Sequence, residues 1–343
     1  MKMMIVCPHF NDIEYGIVES FKRLGIETHS VFFNIGISKQ NYFQRIKNRM
    51  GLCIDKFLYK EKLKFNEELL TEFDRLQPDI VYVIQGRWVD VESIRYIKRT
   101  SYIALYLWDM VGLFPEMYVG FSEYNIIYTF DQHDANVLQS EGYHAKFKPS
   151  GYDNSIYYPM LVEKKYDIAF VGTMYNERVK MLDELIQCFP NVKWAIYGEY
   201  APIRKPVQWL KWVFSGKHKY YQNKNIKKEM VNELYNSSHI ILSIVRDNQE
   251  DGWSSRLPEI LGTSSFQITN YFASVEKEFS DSLVMYRNLN ELKSLLTYYL
   301  SHDEERKIIS RIGYNKVKNN YTDDILNQVI IDDYLFWCGD KSL

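Results

Sequence analysis

Residues 166–188 read YDIAFVGTMYNERVKMLDELIQC. YDIAFV is a short apolar strand, GTM is a turn, and the run from ERVKM onward is an amphipathic helix. The chain opens in the same form. MMIV ends at Pro8, EYGIVESFKRLG sets Ile17, Val18, Phe21 and Leu24 on one helix face with Gly25 as its stop, and THSVFF follows as a strand. Strand, helix, strand is the period of a parallel sheet covered by helices. The expected fold class is therefore α/β, with two Rossmann-like, doubly wound units.

The stretches between the two starts repeat the period. A charged helix over about 61–76 leads into PDIVYVIQ, a helix near 90–99 leads into SYIALYLW, and NIIYTF leads through DQHDANVLQSEG to HAKFKPSG. After residue 188 come the strand NVKWAIYG, a long basic connection, the helix KKEMVNELYNSS, the strand HIILSIV and the strand SFQIT. Three helical runs finish the chain. Gly151, Asp153, Asn154 and Pro159 are turn formers and mark a joint near 150–165. The expected division is 1–155 and 165–320, with 321–343 as a helix crossing back. No sequence repeat relates the two halves. Paired units of this kind take ligands at the C-terminal ends of their strands.

The 343 residues suit two domains, and 46% hydrophobic with 25% charged residues is a globular composition. A net charge of -2 gives no global pull toward nucleic acid, so any basic patch is local. Cys7, Cys53, Cys188 and Cys338 form no C-x-x-C pair and no zinc spacing, and read as reduced, mostly buried thiols of a cytoplasmic protein. The first residues are too short an apolar run for a signal peptide. YIALYLWDMVGLF is broken by Asp109 and is too short to span a bilayer.

Several chemistries are absent from the sequence. There is no G-x-G-x-x-G, no P-loop, no D-x-D for a metal-held diphosphate and no G-x-S-x-G elbow. Two turn-and-helix starts remain. Gly172 and Thr173 end the strand YDIAFV, and Asn176, Arg178 and Lys180 follow. Small residues and free N–H groups suit a phosphate there, and equally a plain tight turn. The second start is DGWSSRLPEILG, residues 251–262. Arg256 and Glu259 are three apart and share a helix face, with Asp251, Gly252, Ser254 and Ser255 before them. Arginine offsets phosphate charge, and a carboxylate accepts hydrogen bonds from sugar or ribose hydroxyls. The plain alternative is a capped helix with an internal ion pair. Tyr197, at the end of NVKWAIYG, joins the candidate ligand-binding set.

SSRLPEILGTSSFQITN resembles the R-x-x-E-x-x-x-x-G-x-F-x-I-T segment of the CgeB-like glycosyltransferases, the group 1, type 2 branch of the two-domain GT-B enzymes. TFDQHDANVLQSEGYHAKFKPSGYDNSIYYP resembles their interdomain segment, YDIAFVGTMYNERVKML the start of their donor domain, and LNELKSLLTYYLSHDEERKIISRIGYNKVKNNYT their helical tail. The resemblance covers about residues 125–322. It implies a nucleotide-sugar donor, a UDP- or GDP-sugar, in the C-terminal domain. The acceptor, a glycan, lipid-linked or protein molecule, falls on the N-terminal one, with no cofactor and no metal. Carried over, Arg256 meets the diphosphate, Glu259 the ribose, and Gly172 and Thr173 the phosphates. Asp251 stands at the first acid of an E-x7-E motif, where Glu250 competes with it, and Gly262 is shifted before Thr263, Ser264 and Ser265. A nucleotide-sugar epimerase or a non-catalytic sugar- or nucleotide-binding protein of the same architecture are the alternatives.

An inverting transfer needs a base for the acceptor hydroxyl. His9, Asp12, Asp109, and Asp131 with His133, stand at strand ends in the N-terminal half, and Asp109 interrupts an apolar run. From Ala201 to Lys228 there are eight Lys/Arg and no Asp or Glu, interleaved with Trp209, Trp212, Phe214, Tyr220 and Tyr221. Such a segment suits an anionic membrane surface, a lipid-linked acceptor or a polyanionic glycan, or is a solvated insertion with its tryptophans tucked in. No nucleic-acid fold signature accompanies it.

Overall fold

The computed structural model describes residues 1–9, 13–33, 54–113, 115–200, 206–245 and 251–340. The chain divides into two compact units, Met1–Pro149 with Asp323–Leu343, and Ser150–Thr322.

The first unit holds a six-stranded sheet. Its strands are β1 (Lys2–Pro8), β2 (Glu27–Phe33), β3 (Ile80–Ile84), β4 (Tyr102–Leu107), β5 (Ile126–Thr129) and β6 (Ala145–Phe147). They lie in the order β2-β1-β3-β4-β5-β6 and all run parallel. A parallel sheet needs cover on both faces, because each crossover lays a helix over it. The side chains obey. Met4, Val6, Val81, Val83, Ile103 and Leu105 join one apolar cluster, with Phe65, Leu69 and Phe73 from the helix Ile54–Leu76 and Ile94 and Ile97 from the helix Val91–Lys98. Their alternates Met3, Ile5, Ile80, Tyr82, Tyr102 and Ala104 join the other, with Val18 and Phe21 of the helix Ile13–Arg23 and Ile330 and Ile331 of the helix Asp323–Asp340.

That last helix is fixed by polar contacts as well. Arg23 reaches both carboxylate oxygens of Asp324, at 2.6 Å from Nη2 and 2.9 Å from Nε. Asp333 accepts from the Tyr128 hydroxyl and the Lys146 ammonium at 2.5 Å each.

The second unit holds β7 (Tyr166–Val171), β8 (Trp194–Tyr197), β9 (Ser238–Ser243), β10 (Gln267–Asn270) and β11 (Val284–Tyr286), parallel and ordered β11-β10-β9-β7-β8. One face buries Ile168, Phe170, Ile196, Ile240, Leu242 and Ile268 against Leu182, Leu185, Leu292 and Leu296. The two units thus share one design, a doubly wound parallel sheet in each. The helix expected from about 61 starts earlier, at Ile54. The basic connection after β8 contains the helix Pro206–Phe214, and the short strand β11 was not foreseen. Of the described cysteines only Cys7 is buried. Cys188 is exposed, since it ends its helix on the polar side, so the expectation of mostly buried thiols fails there.

One buried cation makes the first unit sensitive to pH. Lys148 follows β6, is 7% exposed and lies 4.6 Å above the Tyr106 ring. Burial lowers its ammonium to about 8, against the opposing pull of Asp323. Below about pH 8 the folded chain carries the desolvated charge. Between about pH 8 and the ordinary value of 10.5, the unfolded chain holds the proton and the folded chain does not, so this group's contribution to stability rises with pH. Lys148→Met should stabilise the protein at neutral pH by roughly 1–3 kcal/mol and remove that rise. Urea unfolding on both sides of pH 8 measures it; an unchanged pH slope in the variant would contradict the assignment.

Candidate functional site

In the second unit, β7 and β9 are neighbours whose onward connections run to opposite sides of the sheet. This is the switch point at which doubly wound sheets open a crevice beyond their C-terminal ends. Gly172 and Thr173 leave β7 at that edge, and the segment Asp251–Glu259 follows β9 on the other side of the same point. The turn after β7 is tight. Gly198, at φ +154°, lies against it: a Cβ there would stand 2.2 Å from the Gly172 carbonyl oxygen. Arg178, two residues into the helix Asn176–Cys188, folds back over Tyr175 and donates from Nη1 to the Thr173 carbonyl at 2.9 Å. Lys180 is exposed on the same helix. Tyr197, at the end of β8, is half-buried, and burial raises its phenol, with Tyr166 adding to the effect.

Beyond β9, Gly252 has φ +124°. Asp251 Oδ1 accepts from the Gly252 N–H at 3.1 Å and from the Ser274 N–H at 2.9 Å, which ties this loop to the helix Ala273–Phe279. Ser254 is exposed and Ser255 half-buried; Ser255 opens the helix Arg256–Gly262 without a side-chain cap. Glu250 lies outside the described residues.

Arg256 is the centre of the arrangement. Its Nη1 donates to the Tyr235 hydroxyl at 2.6 Å and stands 3.7 Å from Glu259 Oε2. A third of its side chain is exposed and Glu259 shows 14%. Burial opposes the charge on Arg256, but Tyr235, Glu259 and Tyr157 outweigh it and raise its pKa. Tyr235 is fully buried, and burial pushes its phenol up to about 12 despite the cation beside it.

The residues behind Tyr235 explain why it stays in place. It belongs to the helix Lys228–Asn236. On that helix Asn232 Oδ1 accepts from the Tyr158 N–H at 3.2 Å, and Asn236 Oδ1 from the Met160 N–H at 2.7 Å. These side chains staple the passing backbone of residues 158–160 to the helix. The Tyr157 ring then stacks on Tyr235 at 6.5 Å. Ser265 Oγ donates to the Tyr235 carbonyl at 3.0 Å, from the far end of the Arg256 helix. Gly262 lets the Tyr152 ring lie on that helix, where a Cβ would meet Tyr152 Cε2 at 2.3 Å.

The first unit carries its candidates along the C-terminal edge of its sheet. His9 follows β1, with its ring 6.1 Å from Phe32. Asp109 follows β4 and is half-buried in a pocket lined by Gln85, Trp108, Met110, Val111, Met117 and Phe121. Gln85 Nε2 donates to Asp109 Oδ2 at 3.2 Å. Gln85 is 7% exposed, sits at φ +67° and keeps its Oε1 buried without a hydrogen-bond partner. A non-glycine residue held there is strained, and strain of this kind gathers at functional sites. Asp131 is the cap of the helix Gln132–Ser140, accepting the N–H of His133 at 2.9 Å and of Asp134 at 3.3 Å. His133 is exposed in the first turn. Asp12 lies outside the described residues. Among the described residues no group of three His, Cys, Asp or Glu is arranged to hold a metal.

Residues 178–327 match the model of a family described as glycosyl transferase-like. The chain is 24% identical over 280 residues to spore protein CgeB of Bacillus subtilis strain 168, covering 76% of this chain and 84% of that protein. Solved structures give the fold. Sucrose-phosphate synthase of Thermosynechococcus elongatus aligns with a TM-score of 0.74 over 99% of this chain and 100% of its own, at 9% identity. Anabaena HepE in complex with UDP and glucose aligns with 0.66 over 97% and 99%, at 10% identity. The architecture is GT-B.

The matched stretch takes in Arg178, Asp251, Arg256 and Glu259, and also Tyr235, which pattern reading passed over. Tyr235 looks like one more apolar residue in KKEMVNELYNSS. A tyrosine seven residues after Lys228, just before a strand, carries no mark that its hydroxyl holds an arginine. Gln85 was missed as well; in VYVIQG it reads as a polar strand end.

The contact of Tyr152 with Gly262 yields a direct test. Gly262→Ala should force the ring or the helix to shift and cost about 1–3 kcal/mol. Thermal unfolding reads this, and a variant as stable as the parent would show that the Tyr152 ring has room to move.

Proposed function

We propose that this chain is a glycosyltransferase that moves a sugar from a nucleoside diphosphate sugar, UDP- or GDP-linked, to a hydroxyl of a glycan, lipid-linked or protein acceptor, without a bound metal. The observation that carries the reading is Arg256. It is a permanent cation at the switch point of the second sheet, fixed by Tyr235 and still a third open. Breaking the glycosidic phosphate bond sends negative charge to the diphosphate leaving group. A preorganised guanidinium stabilises that charge without having to reorient. Glu259, three residues on, offers a carboxylate to the ribose hydroxyls. Across the switch point, the backbone of Gly172 and Thr173 leaves β7 on the side where the phosphates would lie. Asp251 shapes the loop through its hold on the Gly252 and Ser274 N–H groups. The HepE complex holds UDP and glucose, which makes UDP-glucose the first donor to try.

In the acceptor half, Asp109 is the base we assign, taking the proton of the attacking hydroxyl. Gln85 keeps one carboxylate oxygen in a fixed direction. His9 and His133, at the same sheet edge, are the alternatives for that proton, as is Asp12. The transfer forms a C–O bond to the acceptor, releases the nucleoside diphosphate and leaves the hydroxyl proton on the base.

A thermal-shift panel of UDP, GDP and their sugars in EDTA tests the donor site. One nucleotide family should raise the melting temperature. Arg256→Ala should weaken that nucleotide at least about tenfold, the scale of a hydrogen bond to a charged group. An Arg256→Ala protein with parental affinity would remove the basis for the donor assignment. Asp109→Asn should lower transfer roughly 100- to 10,000-fold with donor affinity kept. Transfer at the parental rate in that variant would move the base elsewhere.

A further inference from the structure

The helix Pro206–Phe214, PVQWLKWVF, is built inside out. Val207 is 68% exposed, Leu210 46% and Phe214 83%. Positions i, i+3 and i+7 form one stripe along a helix, so these three apolar side chains make a single outward ridge. Trp209, Trp212 and Val213 are half-buried. The Trp212 ring meets His218 edge-on at 6.3 Å. The next turn, Lys217–Lys219, is pinned: Lys217 pairs with Asp183 at 2.6 Å, and Asp183 also accepts from the buried Tyr221 hydroxyl at 2.8 Å. The helix is therefore docked by its tryptophans and leaves its aliphatic and phenylalanine side in water. A surface helix of a globular protein normally has the reverse arrangement.

The charge around the ridge supplies the second observation. Residues 201–228 hold eight Lys/Arg and no acid in a chain whose net charge is only -2. Among the described residues, Lys219, Lys224 and Lys227 are exposed. A polyanion such as RNA or an acidic glycan would be satisfied by the lysines and gain nothing from Val207, Leu210 and Phe214. A lipid surface with anionic headgroups uses both, the ridge entering the acyl boundary while the lysines meet the phosphates. Among the described residues no helix is long and apolar enough to cross a membrane, so such a contact lies in the interface plane. We propose that the ridge Val207–Leu210–Phe214, with its flanking lysines, docks the second unit on an anionic lipid bilayer. This goes beyond the donor and acceptor reading and does not depend on it.

Flotation of the full chain with vesicles tests the proposal. The protein should float with phosphatidylcholine vesicles containing phosphatidylglycerol and stay behind with phosphatidylcholine alone. The triple variant V207S/L210S/F214S should lose at least about tenfold in partitioning, at an unchanged melting temperature. Phe214→Ser alone should lose a smaller part, which guards against misfolding of the triple variant. Lys219→Glu with Lys224→Glu and Lys227→Glu should abolish the preference for anionic lipid, and added salt should weaken it. Three results would overturn the proposal: failure to float with either vesicle, undiminished flotation of a folded triple variant, or tight binding to heparin alone that ignores the apolar substitutions.

Discussion

A buried phenol facing a guanidinium sets the geometry of the second unit. Tyr235 has no access to water, so its hydroxyl needs a partner inside the protein, and Arg256 is that partner. The reverse need is as strong, because a guanidinium drawn partly out of water requires acceptors. Each of the two residues therefore fixes the other, and neighbouring elements adjust to the pair. Tyr157 covers the ring, Ser265 takes the Tyr235 carbonyl, and Asn232 and Asn236 hold the passing backbone. The outcome is a cation with little freedom beyond the C-terminal ends of parallel strands.

The edge of the first sheet solves a related problem differently. There the polar pair is Gln85 with Asp109, and one amide oxygen is left buried without a partner. The backbone at Gln85 and Gly86 turns through positive φ on two successive residues, which aims the amide toward the carboxylate. An arrangement that carries backbone strain and an unmatched acceptor together is costly for stability alone.

Much of this was legible from spacing. The two strand-turn-helix starts announced the parallel sheets, because apolar runs of a few residues followed by amphipathic helices have few other uses. Arg256 and Glu259 were readable as face-sharing from their separation of three, and they lie 3.7 Å apart. Tyr235, Gln85 and the staple residues were not legible, since their roles depend on contacts across 20 residues or more that no local period encodes. The helix Pro206–Phe214 escaped for another reason: its apolar residues point both ways, so no single face stands out. The strand β11 has only three residues, too few to show alternation.

The helix Asp323–Asp340 belongs to the first unit although the whole second unit precedes it in the chain. Its Ile330 and Ile331 are part of the cluster on one face of the first sheet, and its Asp324 and Asp333 bind Arg23, Tyr128 and Lys146. A ribosome makes the chain from the other end. While residues 150–322 are being synthesised, that face of the first sheet lacks part of its cover, and Tyr102 and Tyr128 miss the helix they will meet. The first unit to be translated is the last to be finished, and the exposed apolar face in the interval is the surface a chaperone would find.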